Sequence, residues 1–171
     1  MIFLWLVAAA LFVSFGLVVL RGAPYVPSHR REVIRALSEL YPLGPADVLV
    51  DIGAGDGVVL REASRRGARA VGYELNPFLV AISRLLSWHD PRVSVRLADA
   101  WLSAYPSDMT VAYIFPVTRD LPKLLVKLQA HADANGRPVS LISYGGQPEG
   151  VEPVRMLGGH GLYVISPLQG R

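Results

Sequence analysis

The sequence contains no cysteine. This absence excludes a disulfide scaffold, a cysteine nucleophile and a thiolate metal site. Lysine is scarce as well, because 15 of the 17 basic residues are arginines, and these are scattered among acids. Such a distribution forms no basic stripe, so we expect no nucleic-acid partner. A chain of 171 residues, of which 18% are charged, fits one globular domain better than two.

Charge is absent from the first 20 residues. The run Ile2–Leu20 is apolar except for one serine and one glycine, and as a helix it would span roughly 28 Å, close to the hydrocarbon thickness of a bilayer. We predict three regions: a transmembrane anchor at residues 1–21, a proline-containing linker at 22–28 and a domain at 29–171. A cleaved signal peptide is the alternative, although a basic n-region and a good cleavage site are missing.

The charges that flank the apolar run predict its orientation. Four arginines follow it within 15 residues, and no charged side chain precedes it. The positive-inside rule therefore predicts a single-pass membrane protein whose domain faces the cytoplasm. Residues 2–20 would contact the bilayer, and the nearby arginines fit anionic lipid. We expect a monomer. The four arginines are Arg21, Arg30, Arg31 and Arg35.

Strand and helix patterns alternate along the rest of the chain. The predicted strands are Val48–Ile52, Ala70–Tyr73, Val93–Leu97, Thr110–Phe115 and Val139–Tyr144. The predicted helices are Ser28–Leu40, with Ser28 as its cap, Val58–Arg66, Pro77–Trp88 and Asp120–Ala132. Two last runs, Pro153–Leu157 and Leu162–Ile165, would form a hairpin around Gly158–Gly161. The pattern predicts an α/β fold: a doubly wound, Rossmann-like, mostly parallel seven-stranded sheet with a C-terminal antiparallel hairpin, preceded by one N-terminal transmembrane helix.

The helix predicted at Pro77–Trp88 begins with a proline in its first turn and carries four apolar residues. The four residues are Leu79, Ile82, Leu85 and Leu86.

A glycine-rich loop follows the first predicted strand. It reads Asp51-Ile52-Gly53-Ala54-Gly55-Asp56-Gly57. In doubly wound sheets a ligand binds at the carboxyl ends of the strands, and glycines let the backbone approach it closely. The helix that follows favours a carboxylate or phosphate at its N-terminus. The GxGxG spacing differs from the GxGxxG of dinucleotide sites, which weakens an assignment to NAD.

Acids also end the second and third predicted strands. Glu74 can accept hydrogen bonds from ribose hydroxyls, or it is an ordinary exposed acid at a strand end. Asp99 can accept from an adenine amino group beside Trp101, or it is a turn acid next to a core tryptophan. Asn76 precedes Pro77 and is predicted to cap the following helix.

The combination of three strand-ending acids and the glycine loop, over residues 46–145, resembles the class I S-adenosylmethionine-dependent methyltransferases. The resemblance implies that S-adenosyl-L-methionine is the cofactor, with the loop around its methionine part. It also implies that Asp51 lies near the amino end, Glu74 at the ribose and Asp99 at the adenine. The implied cofactor-binding residues are Asp51, Gly53, Ala54, Gly55, Gly57, Glu74, Leu75, Asn76, Asp99 and Ala100.

Four short motifs are similar to the small membrane-anchored protein-lysine methyltransferases. Those enzymes act in mitochondria on the ATP synthase c subunit and the adenine nucleotide carrier, and they have bacterial relatives. The resemblance implies N-methylation of a lysine in a membrane-associated protein. The sequence departs from this family at two places. Leu102, directly after the last motif, stands where the mitochondrial enzymes carry a lysine, and the segment 144–148 lacks their aromatic-rich pattern. The motifs are Pro24–Ser28, Asp51–Gly57, Gly72–Pro77 and Asp99–Trp101.

Two other functions stay open: a lipid or quinone methyltransferase, and a non-catalytic nucleotide-binding module on a membrane complex. The fourth predicted strand ends in Tyr113-Ile114-Phe115-Pro116, where this fold usually meets its acceptor. It lacks the Asn-Pro-Pro-Tyr element of nucleobase-amino methyltransferases, which argues against DNA. The predicted substrate-binding residues are Tyr25, Tyr113, Phe115 and Tyr144. Core packing is the alternative for the three tyrosines, and it is the favoured one for Tyr113.

No histidine has a sequence partner that indicates general-base catalysis. We expect surface or capping roles for all four, and we assign no catalytic residue and no metal site. The histidines are His29, His89, His131 and His160.

Overall fold

The computed structural model describes Trp5 and residues 29–168. Apart from Trp5, the predicted anchor lies outside this part of the chain, as do the linker at 22–28, the helix cap Ser28 and the candidate substrate residue Tyr25. Among the described residues, every helix is too short or too polar to cross a bilayer.

Seven strands form one sheet in the order β3-β2-β1-β4-β5-β7-β6. The first five strands are parallel, and β7 runs antiparallel between β5 and β6. The mostly parallel sheet and the C-terminal antiparallel hairpin are therefore confirmed. The strands are β1 Val48–Ile52, β2 Arg69–Glu74, β3 Val93–Leu97, β4 Val111–Ile114, β5 Val139–Tyr144, β6 Arg155–Leu157 and β7 His160–Ile165.

Helices cover both faces of this sheet. One face carries α1, α2 and α3, which contribute Leu37, Leu60 and Val80 to its core. The other face carries α4, through Leu124 and Leu128. The helices are α1 Arg30–Arg35, which continues as a π-helical turn Ala36–Leu40, α2 Val58–Arg65, α3 Pro77–Leu86 and α4 Leu121–Asn135, the last preceded by a 3₁₀ turn Thr118–Asp120.

Most of the apolar residues named for helix α3 lie outside the core. Of the four, only Leu79 is buried, whereas Ile82, Leu85 and Leu86 are 45%, 70% and 54% exposed. The side of α3 that faces the domain carries Ser83, which is completely buried. The physical reason is close packing, because this side of α3 lies directly against the glycine loop and leaves room only for a small side chain there.

Two of the boundaries that differ from the prediction bear on the site. β4 ends at Ile114, so Phe115 lies beyond the strand and is 38% exposed. β7 begins at His160, two residues before the predicted start, because His160 pairs with Tyr144 at the end of β5. The backbone ladder thus extends into the glycine-rich connection that the sequence pattern assigned to a turn.

Candidate active site at the carboxyl edge of the sheet

The glycine loop after β1 adopts a backbone that only glycine tolerates well. Gly53, Gly55 and Gly57 have φ angles of 79°, 54° and 81°. At Gly57 a Cβ atom would lie 2.0 Å from the Ser83 hydroxyl oxygen. At Gly53, by contrast, no described atom lies within 4 Å of where a Cβ would be. The loop therefore packs against α3 on one side and borders open space on the other.

Glu74, at the end of β2, connects this loop to the next strand. Its carboxylate accepts hydrogen bonds from the Gly55 amide, at 2.9 Å, and from the Asn76 amide, at 2.7 Å. Each carboxylate oxygen has a second lone pair that a ligand hydroxyl can use. Glu74 is only 8% exposed, so the alternative of an ordinary exposed acid is wrong.

Asn76 caps α3, as predicted. Its Oδ1 accepts from the amides of Phe78 and Leu79, at 2.9 and 3.4 Å. Its Nδ2 is buried and has no hydrogen-bond partner among the described residues. The side chain therefore fixes the start of α3 and retains one unused donor beside Glu74.

Asp51 lies at the centre of the site and is 3% exposed. Burial is the main reason that its pKa rises, to about 8, and the negative charges of Glu74 and Asp56 raise it further. Within residues 29–168, no group donates a hydrogen bond to this carboxyl. A buried carboxyl of this kind beside an open glycine loop fits the ammonium group of a bound amino acid moiety.

The third predicted acid, Asp99, begins a turn after β3. Its Oδ1 accepts from the Trp101 amide at 2.7 Å, as expected of a turn acid. Lys127 on α4 holds the same turn, since its ammonium group donates to the carbonyls of Trp101 and Ser103, at 2.9 and 2.7 Å. No sequence pattern indicated Lys127, because α4 meets this turn only in the folded chain. Ala100 is buried beside it.

An aromatic cluster occupies the ends of β4 and β5. The rings of Phe115 and Tyr144 meet edge to face, with 4.9 Å between centroids, and Tyr144 lies 4.4 Å from the His160 ring. The Tyr113 hydroxyl is 2.9 Å from His160 Nε2. The structure thus brings together three of the predicted substrate-binding residues. We call Tyr113, Phe115, Tyr144 and His160 the aromatic cluster.

His160 corrects the prediction of a surface or capping role. It is 1% exposed, and burial lowers its pKa to about 4, so its ring is neutral at physiological pH. In the sequence His160 lies among three glycines, a pattern that predicts a turn, so nothing indicated that its ring is buried in the site. Only the antiparallel pairing of β7 with β5, which sets His160 opposite Tyr144, places it in the site.

Both groups of residues lie on one edge of the sheet. Strands β1–β5 are parallel and end at this carboxyl edge, and the antiparallel β7 starts there. Asp51 is the register partner of Tyr113, so the polar and aromatic groups adjoin directly. The described chain also begins at this edge, because Glu32 Oε2 lies 3.3 Å from where a Cβ on Gly158, in the β6–β7 turn, would be.

No family model matches the chain. It is 36% identical over 122 residues to a lysine N-methyltransferase of the ATP synthase c subunit from Xenopus laevis, covering 68% of this chain and 52% of that protein. It is 36% identical over 121 residues, with the same coverage, to an adenine nucleotide translocase lysine N-methyltransferase of Mus musculus. The chain is thus similar to lysine N-methyltransferases over about two thirds of its own length, and it spans about half the length of these curated relatives.

Among solved structures, an RNA methyltransferase from Salinibacter ruber in complex with S-adenosyl-L-homocysteine is 27% identical, with a TM-score of 0.69. The match covers 85% of this chain and 96% of that one. The Rossmann-like methyltransferase fold is thereby established, and the resemblance inferred from the motifs and the inferred cofactor, S-adenosyl-L-methionine, are confirmed. The residues at the carboxyl edge fit this cofactor, because Asp51 can receive its ammonium group and Glu74 its hydroxyls.

Proposed function

We propose that this chain is an S-adenosyl-L-methionine-dependent methyltransferase that N-methylates a lysine of a membrane-associated protein. The observation that carries the proposal is that two groups of residues adjoin on one edge of the sheet. The polar half consists of the glycine loop, Asp51, Glu74 and Asp99, and the aromatic half is the aromatic cluster. Asp51 and Tyr113, one from each half, are register partners. The names of the lysine N-methyltransferase relatives support the choice of acceptor.

The bound cofactor supplies a methyl group on a positively charged sulfur. Transfer would join the lone pair of the lysine nitrogen to the methyl carbon and leave the electron pair of the broken C–S bond on sulfur, and the methylated amine would release a proton to solvent. Such an in-line displacement depends on orientation, which can contribute roughly 7–11 kcal/mol.

The residues of the polar half would bind the cofactor and orient it. Asp51 would hold the amino end of the cofactor, while Glu74, itself held by two backbone amides, would hold the ribose. Asp99 and Ala100 would border the adenine in a turn that Lys127 stabilises. None of these side chains needs to transfer a proton to the reacting atoms, so the proposed reaction assigns them no acid–base step.

The residues of the aromatic cluster provide the acceptor side. Phe115 is 38% exposed and Tyr144 is partly exposed, so both can touch an incoming side chain, while Tyr113 and His160 support them from below. An apolar surface lowers the pKa of a lysine that enters it, which favours the neutral, nucleophilic amine. The neutral His160 adds no charge that would oppose this.

The N-terminal region supports an acceptor at the membrane. We propose that residues 1–21 anchor the chain as a single-pass segment with the domain on the cytoplasmic side, and that a monomer suffices. A seven-residue linker reaches roughly 23 Å at full extension. Since α1 begins at the carboxyl edge, that linker would keep the site close to the bilayer.

The proposal is tested with the full-length protein and S-adenosyl-L-methionine labelled in its methyl group. Membranes from cells that lack the gene serve as the acceptor, and Glu74→Ala protein serves as the inactive control. We expect label in protein, on the ε-nitrogen of a lysine identified by mass spectrometry.

Other outcomes would replace the proposal with a named alternative. Label in the lipid extract alone would indicate a lipid or quinone methyltransferase, and label in RNA alone would indicate an activity like that named for the Salinibacter ruber protein. Tight cofactor binding with no transfer to any fraction would indicate a non-catalytic module.

A further inference from the structure

Helix α3 presents its large apolar side chains to solvent. Phe78, Ile82, Leu85 and Leu86 are between 40% and 70% exposed, and Trp88, just past the helix, is 75% exposed. At 100° per residue, the four helical positions fall on one side of α3. We call these five residues the α3 patch. Contiguous exposed apolar surface of this kind is typical of a site that contacts a membrane or another protein.

The opposite side of α3 makes this arrangement more unusual. Ser83 and Ser87 face the domain, and their hydroxyl oxygens are buried without a hydrogen-bond partner among the described residues. This region therefore buries two serines beside Leu79 and Val80, while most of its large apolar side chains are exposed. This is the reverse of what burial energetics favours for a helix facing water.

Two arginines lie at the C-terminal end of the α3 patch, and one of them, Arg65, also pairs with the carboxylate of Glu62. A cavity of about 520 Å³ at its C-terminal end is lined by Arg65, Arg92, Leu85 and Trp88, among others. The acid in this cavity, Asp90, accepts a hydrogen bond from the backbone amide of Arg92. Apolar side chains, an exposed tryptophan and arginines on one surface are the combination that binds anionic lipid headgroups.

We propose that the α3 patch rests on the surface of an anionic bilayer, with its apolar side chains at the boundary between headgroups and acyl chains and its arginines at the lipid phosphates. A second copy of the chain fits less well, because a twofold axis through the patch would bring the same arginines face to face. This lipid contact does not depend on which molecule is methylated. It adds to the proposed anchor a second contact, made by the folded domain.

The absence of cysteine allows a clean test. Full-length Leu86→Cys protein carries one environment-sensitive fluorophore in the α3 patch. The matched control, Val126→Cys, places the same label at a 72% exposed valine on α4, on the other face of the sheet. Both proteins are reconstituted into vesicles of phosphatidylcholine alone and of phosphatidylcholine with phosphatidylglycerol, so any effect of residues 1–21 is the same in both.

We expect brominated acyl chains to quench the label at position 86 at least about twofold more than the label at 126, and only in vesicles that contain phosphatidylglycerol. Replacing Arg65 and Arg92 together by glutamine should remove most of this difference. Equal quenching at the two positions would overturn the proposal. Spin labels at position 86 that broaden one another would instead indicate a second copy.

Methyl transfer is measured in parallel on the unlabelled protein with both arginines intact, and quenching is compared in the labelled protein with the same arginines. A patch that stays in water while transfer continues refutes only the lipid contact. A patch that is quenched by lipid in a protein that transfers no methyl group refutes only the proposed function.

Discussion

The two halves of the carboxyl edge are built by different forces. In the polar half, side chains contact nearby backbone: Glu74 accepts from Gly55 and Asn76, and Asp99 accepts from Trp101. In the aromatic half, rings from β4, β5 and β7 pack on one another across the sheet. The cofactor side is thus encoded locally and the acceptor side by tertiary packing, so variants should separate cofactor binding from transfer.

The largest expected effect is at Gly57 in the polar half. In Gly57→Ala the left-handed backbone costs roughly 1–2 kcal/mol, and overlap with the Ser83 hydroxyl adds about 1–3 kcal/mol. We expect the free energy of unfolding, measured by denaturant titration, to fall by about 2–5 kcal/mol. Gly136→Ala is the matched control, because its φ is also positive but no described atom lies within 4 Å of the new Cβ. Equal losses in the two variants would contradict the close packing.

Glu74→Ala comes next. It removes a charged acceptor from the proposed ribose site, so binding of S-adenosyl-L-homocysteine should weaken by about 1.5–3 kcal/mol, or roughly 10- to 150-fold. Titration calorimetry measures this change, and the exposed Glu149→Ala serves as control. An unchanged affinity would remove Glu74 from the cofactor site.

Asp51 should make the polar half sensitive to pH. Because its pKa is about 8, an ammonium group can pair with it below pH 8 only after it loses a proton. Cofactor affinity should therefore rise by up to about tenfold per pH unit between about pH 6 and 8. Asp51→Asn should flatten this slope in calorimetric titrations across that range. A slope that persists in the variant would assign the titration to another group.

Asp51 should affect stability with the opposite sign. The folded chain keeps a proton that the unfolded chain, with a carboxyl pKa near 3.8, has already released. The contribution of Asp51 to stability is therefore fully present below about pH 4 and is lost as the pH rises through about 8. In the absence of cofactor, Asp51→Asn should reduce the fall in melting temperature between about pH 5 and 8.

The aromatic half should respond in the opposite way to the polar half. His160→Leu removes the hydrogen bond to Tyr113 and the ring contact with Tyr144, so kcat/KM for the acceptor should fall by about tenfold while cofactor affinity stays unchanged. His160→Gln, which can still bond to Tyr113, should recover part of the activity. Loss of cofactor binding in the leucine variant would show that the two halves are not separable.

The smallest expected effect is at Ser83, under the glycine loop. Its hydroxyl is buried without a partner among the described residues, so Ser83→Ala should stabilise the fold by up to about 1 kcal/mol. Ser143 is equally buried, but its hydroxyl donates to the Gly146 carbonyl at 2.7 Å. Ser143→Ala should therefore destabilise by about 1 kcal/mol. Effects of the same sign in both variants would refute the difference in hydrogen bonding.

The sequence predicted what local patterns control. Runs of β-branched residues located the five parallel strands within a few residues, and the Asn76-Pro77 pair identified the cap of α3. Sequence patterns did not identify the residues that long-range pairing brings to the site. His160 enters the site only through β7, and Lys127 reaches the Asp99 turn only from α4. A 3.6-residue period shows that α3 has an apolar side, but not which side faces the protein.

The position of α1 has a consequence for how the chain would select its acceptor. With the proposed anchor in place, a site on a short tether samples only a thin layer of space above the membrane. Within such a layer a tethered partner is present at an effective concentration in the millimolar range. Proximity would then contribute to the choice of acceptor in addition to the contacts made by the site itself. A matching lysine on a freely diffusing protein would remain unmodified because it seldom enters that layer.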